Sequence, residues 1–347
     1  MSTGEQQLQA RRWRSYRGGR EFLALLAGQT VSDAGSQATT VALPLLALLI
    51  TGSPFQAGLV GFARSVAYPL AALPSGVAAD RFDRRWLMIF AALGRLVAMA
   101  SVIVALAAGE PSIEQLALVA FVDSSLWSLG VVTERGVFRA LVPTRDLPRA
   151  IALSEGRTAA AAIAGPPLGG ALLAIGRALP FALDALSSLP LIGVVLRIRT
   201  SLAPAEGGRR TAEGARAALS HALEGLRWLW ARPFLRAGSV LYAAANLTLW
   251  ALELLVILVA KHYGAGSAGV GLMFAVMGFG GVAGSLVAGR ASGWLSARWS
   301  IALEPWVGLA VIPLLLVVHS PVGIGLLGAI YFISTPLSSA TIHSRRV

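Results

Sequence analysis

Long apolar stretches alternate with short polar links along the whole chain. Ten stretches are predominantly apolar, at about 22–50, 54–79, 86–108, 114–138, 150–174, 179–199, 237–260, 267–290, 299–318 and 321–342. A helix rising about 1.5 Å per residue needs about 20 such residues to cross the hydrocarbon core of a bilayer. Within that core the helix satisfies every backbone N–H and C=O without water, which a lone strand cannot do. The pattern predicts an all-α integral membrane protein of about ten transmembrane helices. The longest polar link divides them into six and four. The expected organisation is a basic tail at 1–21, a six-helix bundle at 22–199, a linker at 200–236, a four-helix bundle at 237–342 and a short tail at 343–347.

Composition strengthens this reading. The chain is 56% hydrophobic and 13% charged, with a mean hydropathy of +0.69, outside the usual range of soluble domains. It holds no cysteine, which excludes a disulfide framework, a thiolate metal site and a cysteine nucleophile. His221, His262, His319 and His343 lack metal-ligand spacing, so no metal or other cofactor is expected. The net charge of +12 does not indicate nucleic acid, because the arginines sit in links between apolar spans, where they set topology. Of 29 basic residues, 23 lie in links on one side and only Arg177 and Lys261 in links on the other. Basic residues favour the cytoplasmic face. Both termini are therefore expected inside, in the inner or plasma membrane of a bacterium. The linker opens with a flexible SLAPAEGGRR and continues with Leu219, Leu223, Leu226 and Trp230 among arginines, the pattern of a helix lying on a membrane surface.

Between the second and third spans runs GVAADRFDRR, residues 76–85. It resembles the signature loop of the major facilitator superfamily, G-x-x-x-D-R-x-G-R-R, through Gly76, Asp80, Arg81, Arg84 and Arg85. Asp83 stands where that pattern has glycine, which questions the tight turn. A plain positive-inside anchor is the alternative reading. The resemblance implies a two-bundle helical transporter and a loop that latches one alternating-access state. SGVAADR at 75–81 is echoed by SLVAGR at 285–290, as expected of parallel repeats. By that plan the chain stops two helices short.

GQTVSDAGSQ in the first span, ALVPTRDLPRAIAL before the fifth, GPPLGG at 165–170 and FALDALSSLP in the sixth resemble the branch of enterobactin exporters and macrolide-efflux proteins. Gly165, Pro166, Gly169 and Gly170 match the core of the fifth-helix antiporter motif, with Ala161 in place of its first glycine. Proline frees a carbonyl and bends a helix, and glycine admits a neighbouring backbone. An ordinary packing kink is the other reading. The eighth span carries Gly278, Gly280, Gly281 and Gly284, again suited to close packing. Trp127, Trp250, Phe279 and Tyr331 are aromatic candidates for a substrate cavity, with packing as the alternative.

An ionisable group inside a span costs about 2.5–3.5 kcal/mol on insertion scales and should face a partner or a cavity. Asp33, Arg64, Asp123 and Glu253 are the candidates for proton coupling or a substrate cavity. Asp33 is the first choice for the proton, a packing hydrogen bond to Ser32, Ser36 or Gln37 being its alternative. Arg64 is a candidate counter-ion for Asp33. Glu134, Arg135, Glu155 and Arg157 lie nearer the inner surface and are expected to pair with one another or with the 76–85 loop as a conformational latch. Arg95 is intramembrane without an assigned role. Asp184, about five residues inside its span, is expected to be solvated.

The expected function is secondary-active transport, as proton-coupled efflux of a small amphiphilic compound such as a drug, macrolide or siderophore. The partners are that substrate, protons and the lipid bilayer, not nucleic acid, with the chain a monomer or a homo-oligomer. No G-x-x-x-x-G-K-[ST] segment occurs, so the chain has no phosphate loop for ATP. No nucleophile constellation suggests an enzyme. An importer or symporter of the same fold, or a truncated non-transporting membrane protein, are the alternatives.

Overall fold

The computed structural model describes residues 17–203 without a break and, beyond them, chiefly 227–233, 255–260, 266–291, 306–311 and 320–344. The start of the basic tail, most of the linker and of the span at 237–260, part of the span at 299–318, and the candidates Trp250 and Glu253 lie outside the described residues.

Every regular element among the described residues is helical. The long helices are α1 (Arg17–Thr51), α2 (Pro54–Arg81), α3 (Arg84–Ala108), α4 (Ile113–Leu141), α5 (Leu147–Ile175), α6 (Leu179–Arg197), α7 (Ser267–Ala291) and α8 (Pro321–Ser344). They lie where the apolar stretches predict. Among the described residues, five stretches, at 18–51, 84–108, 113–141, 144–175 and 179–197, are long and apolar enough to cross a membrane by length and composition. α2 matches them in length, but Gln56, Arg64, Ser65 and Ser75 make it more polar. That polarity is used inside the bundle.

The helix starts are set by local chemistry. Ser53 caps α2 by accepting from the Gln56 amide, with Pro54 in the first turn. Ser112 caps α4 by accepting from the Gln115 amide. Asp83 caps α3, its carboxylate accepting from the Arg85 N–H at 2.8 Å. Its φ of −61° needs no glycine. The departure from the signature pattern therefore exchanges a flexible residue for a stronger cap, and the α2–α3 turn still forms. At the other end of the bundle, Gly52 adopts φ +65° just after α1, where a side chain would be strained.

In the first bundle α1 packs on α5 and α6, α2 on α4, and α3 on α4 and α6. The interior is layered. At the end carrying the 76–85 loop, Phe22, Leu25, Met88, Val137, Phe138, Leu141 and Val195 form one apolar cluster. At the opposite end, Leu46, Val60, Met99, Val102, Leu116 and Phe181 form another. A polar layer lies between them. Lipid tails are as apolar as leucine, so such a bundle is held by packing contact and by interior hydrogen bonds and ion pairs.

α5 joins the two halves. On one face, a Cβ added at Gly165 or Gly169 would strike the backbone of Gln37 or Ala38 on α1. On another, Gly271 of α7 sits against Pro167 and Gly170, and Gly278 against Ile163. Gly280 and Gly284 of α7 face away, onto the backbone of Ala329 and Ile333 on α8. The GPPLGG segment is thus clasped between α1 and the second half. Val41, Leu45 and Leu173 extend this seam into a cluster with Val256, Val270, Met273 and Tyr331. Among the described residues, contact between the halves lies toward the end opposite the loop.

Candidate functional site

The polar layer is built around one stripe of α1. Gln29, Ser32, Asp33, Ser36 and Thr40 recur every three or four residues, which puts them on one helix face. Each of the three arginines buried in the bundle meets that stripe.

Arg95, at mid-length of α3, holds the first network. Its Nε donates to Asp123 Oδ1 on α4 at 2.8 Å, and its Nη2 to Asp184 Oδ1 on α6 at 2.9 Å. The same Nη2 donates to Ser36 Oγ on α1. Arg64 of α2 completes the set, donating to Asp123 Oδ2 at 2.9 Å and to Thr40 Oγ1 at 3.0 Å. Thr39 Oγ1 donates to Asp184 Oδ2 at 3.2 Å. Five helices contribute, and two guanidiniums face two carboxylates. The charges balance. Asp123 and Asp184 are fully buried, so their partners offset a desolvation cost that water would otherwise prevent.

Arg157 of α5 holds the second network. Its Nη2 donates to both oxygens of Glu134 on α4, at 3.1 and 3.2 Å, and its Nη1 to Gln29 Oε1. Ser154 Oγ donates to Glu134 at 2.9 Å. Asp33 Oδ2 lies 3.3 Å from Arg157 Nε, yet that Nε makes no hydrogen bond. Here one guanidinium faces two carboxylates. Between the two networks lies a cavity of about 50 Å³ whose walls include Gln29, Ser32, Asp33, Arg95, Glu134, Arg157 and Trp127.

Several pairings differ from those expected. Arg64 serves Asp123, not Asp33. Asp184 is not solvated but 1% exposed and bound to Arg95. Depth along α6 does not reveal which way a residue faces, and this one faces the bundle interior. Glu134 and Arg157 do pair with each other, as one of the two expectations had it, and the pair also takes in Asp33. Arg135 and Glu155 are exposed, away from that pair. In the loop, Asp80 and Arg81 are exposed, whereas Arg84 crosses Gly136 of α4 so closely that a Cβ there would collide with it. Arg85 donates to the carbonyls of Ile198 and Thr200 beyond α6, and Glu21 accepts from the Arg199 and Thr200 amides. These contacts fasten the first residues after α6 to the loop and to the start of α1. A Cβ added at Gly76 would meet nothing within 4 Å, so no close packing there calls for a glycine. Trp127 lines the cavity, whereas Phe279 is exposed and Tyr331 is buried in the seam between halves.

Arg95 is assigned no partner by name in the sequence pattern. It is a cation at mid-span with no carboxylate on its own helix, which by itself demands a partner from elsewhere. The α1 stripe was the second available signal.

Residues 25–345 match the Major Facilitator Superfamily. The chain belongs to this superfamily of membrane transporters. An uncharacterized transporter of the superfamily from Bacillus subtilis (strain 168), YfiS, is 31% identical over 162 residues. That match spans 46% of this chain and 37% of the relative's length. Among solved structures, a bacterial homologue of the human lysosomal transporter Spinster, inward-facing and unoccupied, superposes with a TM-score of 0.62 at 16% identity, covering 92% of this chain and 74% of the other. An inward-facing bacterial homologue of the iron transporter ferroportin gives 0.59 at 17% identity, with 94% and 84% covered. The D-xylose–proton symporter gives 0.57 at 13%, with 93% and 80% covered. At these identities the agreement speaks for the fold. The apolar helices among the described residues fit the multi-pass membrane fold of the superfamily.

Proposed function

We propose that the protein is a proton-coupled exporter of a small amphiphilic compound in a bacterial plasma membrane, with the 76–85 loop and both termini on the cytoplasmic side. The carrying observation is Asp33. It is a carboxylate at mid-length of α1, on the wall of the cavity, 15% exposed, with no hydrogen-bond donor among the described residues. Such a group gains stability by taking up a proton when its surroundings close and losing it when they open. Alternating access supplies that change of surroundings. With the loop inside, the seam at the opposite end closes the outer side, which favours an inward-open arrangement.

Outward transport is supported by the GPPLGG segment and by the resemblance to the enterobactin-exporter and macrolide-efflux branch. Import by proton symport is the second reading, because a D-xylose–proton symporter shares the fold. Substrate-driven proton movement in everted vesicles separates the two. Across a panel of dyes, macrolides and siderophores, the wild type should discharge an imposed pH gradient with at least one compound, and Asp33→Asn should not. If folded wild-type protein moves protons with no compound, the proton-coupled reading falls. Compound-driven proton movement of the opposite sign makes the protein a symporter.

A further inference from the structure

The two networks differ in charge, and the difference has a chemical consequence. Around Arg95 the count is even, with Arg64 and Arg95 against Asp123 and Asp184. Around Arg157 it is odd, one guanidinium against Asp33 and Glu134. Among the described residues one negative charge is left over, in a region where an unpaired charge is costly.

The geometry decides which carboxylate carries it. Glu134 accepts two hydrogen bonds from Arg157 and one from Ser154. Asp33 accepts none from any described residue, although Arg157 Nε lies 3.3 Å away. Glu134 takes Nη2 and Gln29 takes Nη1, which holds the guanidinium where its Nε faces Asp33 without donating to it and leaves Asp33 only a through-space attraction. Hydrogen bonds to the ionised form hold a carboxylate ionised, and a like charge nearby disfavours a second ionisation. Beside Asp33 is the cavity, with room for a few waters at roughly 10–15 Å³ each, so a proton has a place from which to arrive. The charged groups on its walls are Arg95 from α3, Glu134 from α4 and Arg157 from α5, while α6 contributes Leu191. Arg95 is in turn engaged by Asp123 and Asp184.

We propose that Glu134 is a positioning residue which, by holding Arg157, makes Asp33 the carboxylate that binds and releases a single exchangeable proton. Protonation adds one H⁺ to Asp33 Oδ and cancels the excess charge, and release returns it to the cavity. Removing the Glu134 charge frees Arg157 to pair with Asp33, which then stays ionised. Removing Arg157 as well strands Asp33 again and restores its need for a proton. This inference deepens the proton-coupled reading above, but its test needs no substrate.

The test is infrared difference spectroscopy of purified protein in liposomes, following the C=O stretch of protonated carboxyl groups as pH is cycled in H2O and D2O. Wild type should show a reversible band that Asp33→Asn abolishes. Glu134→Gln, with Asp33 intact, should abolish it as well, and Glu134→Gln/Arg157→Gln should bring it back. Arg157→Gln alone, a second route should Glu134→Gln fold poorly, should enlarge the band, since both carboxylates lose their partner. Glu110→Gln, in an exposed pair with Arg177, should leave it unchanged. A Glu134→Gln band equal to that of wild type overturns the proposal. So does a wild-type band that survives Asp33→Asn. If the bands behave as stated but vesicles show no compound-driven proton movement, the proton site stands and the transport reading fails. If movement depends on Asp33 while the Glu134→Gln band persists, the transport reading stands and this inference fails.

Discussion

Substituting Arg95 by methionine keeps an unbranched stem in the bundle and removes the charge that joins α3 to α4 and α6. The consequence is uneven. Asp123 still receives Arg64 at 2.9 Å, whereas Asp184 retains only the Thr39 hydroxyl at 3.2 Å. A buried charge stripped of its partner destabilises by about 3–5 kcal/mol. At about 1.4 kcal/mol per tenfold, that is roughly a 140- to 3,700-fold shift in the unfolding equilibrium. Adding Asp184→Asn removes the stranded charge and leaves Arg64 balanced against Asp123. The double variant should therefore recover most of the loss, remaining about 1–2 kcal/mol below wild type for the missing hydrogen bonds. The second substitution thus restores about 2–3 kcal/mol, a non-additivity of the size found for residues of one network. Unfolding in mixed micelles with increasing dodecyl sulfate, followed by far-ultraviolet circular dichroism, measures the wild type and both variants on one scale. The reasoning is refuted if Arg95→Met costs less than about 1 kcal/mol, the value of a solvated pair. It is equally refuted if the double variant is no more stable than Arg95→Met alone.

Three further outcomes follow from the packing and the caps, each read by the same unfolding assay. Gly169→Val drives a side chain into the α1 backbone at Ala38 and should cost at least about 1–3 kcal/mol, whereas Gly193→Ala, which meets nothing within 4 Å, should stay within about 0.5 kcal/mol of wild type. Equal effects at the two sites would contradict the α1–α5 seam. Asp83→Ala should lose about 0.5–2 kcal/mol and Asp83→Gly only a few tenths, because glycine is a tolerated cap and alanine is not; the reverse order would contradict the capping role. Arg85→Gln removes charge-assisted bonds to the Ile198 and Thr200 carbonyls, each worth about 1.5–3 kcal/mol, and should quicken amide exchange across 198–202; unchanged exchange there would show that the loop does not fasten those residues.

The glycine-to-aspartate departure at position 83 shows how far a motif alone can be read. The pattern raised doubt about the turn, because glycine relaxes backbone limits. Sequence context already contained the resolution: an aspartate directly before a helix accepts its first amides. Asp184 shows the opposite case. Distance from the end of a span suggested solvent, and only the rotation of α6 reveals that the carboxylate faces Arg95.

The sequence by itself determined where the helices run, which links are charged, where several helices are capped and which fold they build. Each of these follows from interactions local in the chain, or from the requirement that an apolar helix of about 20 residues span lipid. It also determined that arginines and carboxylates within the spans must find partners. Which partners they find was decided by tertiary structure alone. Arg95 and Asp123 are 28 residues apart, and Thr39 and Asp184 are 145 apart. Their meeting depends on the rotation and depth of each helix in the bundle. Those are set where glycines admit a neighbour's backbone, at Gly165 and Gly169 against α1 and at Gly271 and Gly278 against α5. The even count around Arg95 and the odd count around Arg157 exist only once that packing has sorted seven charges into two groups.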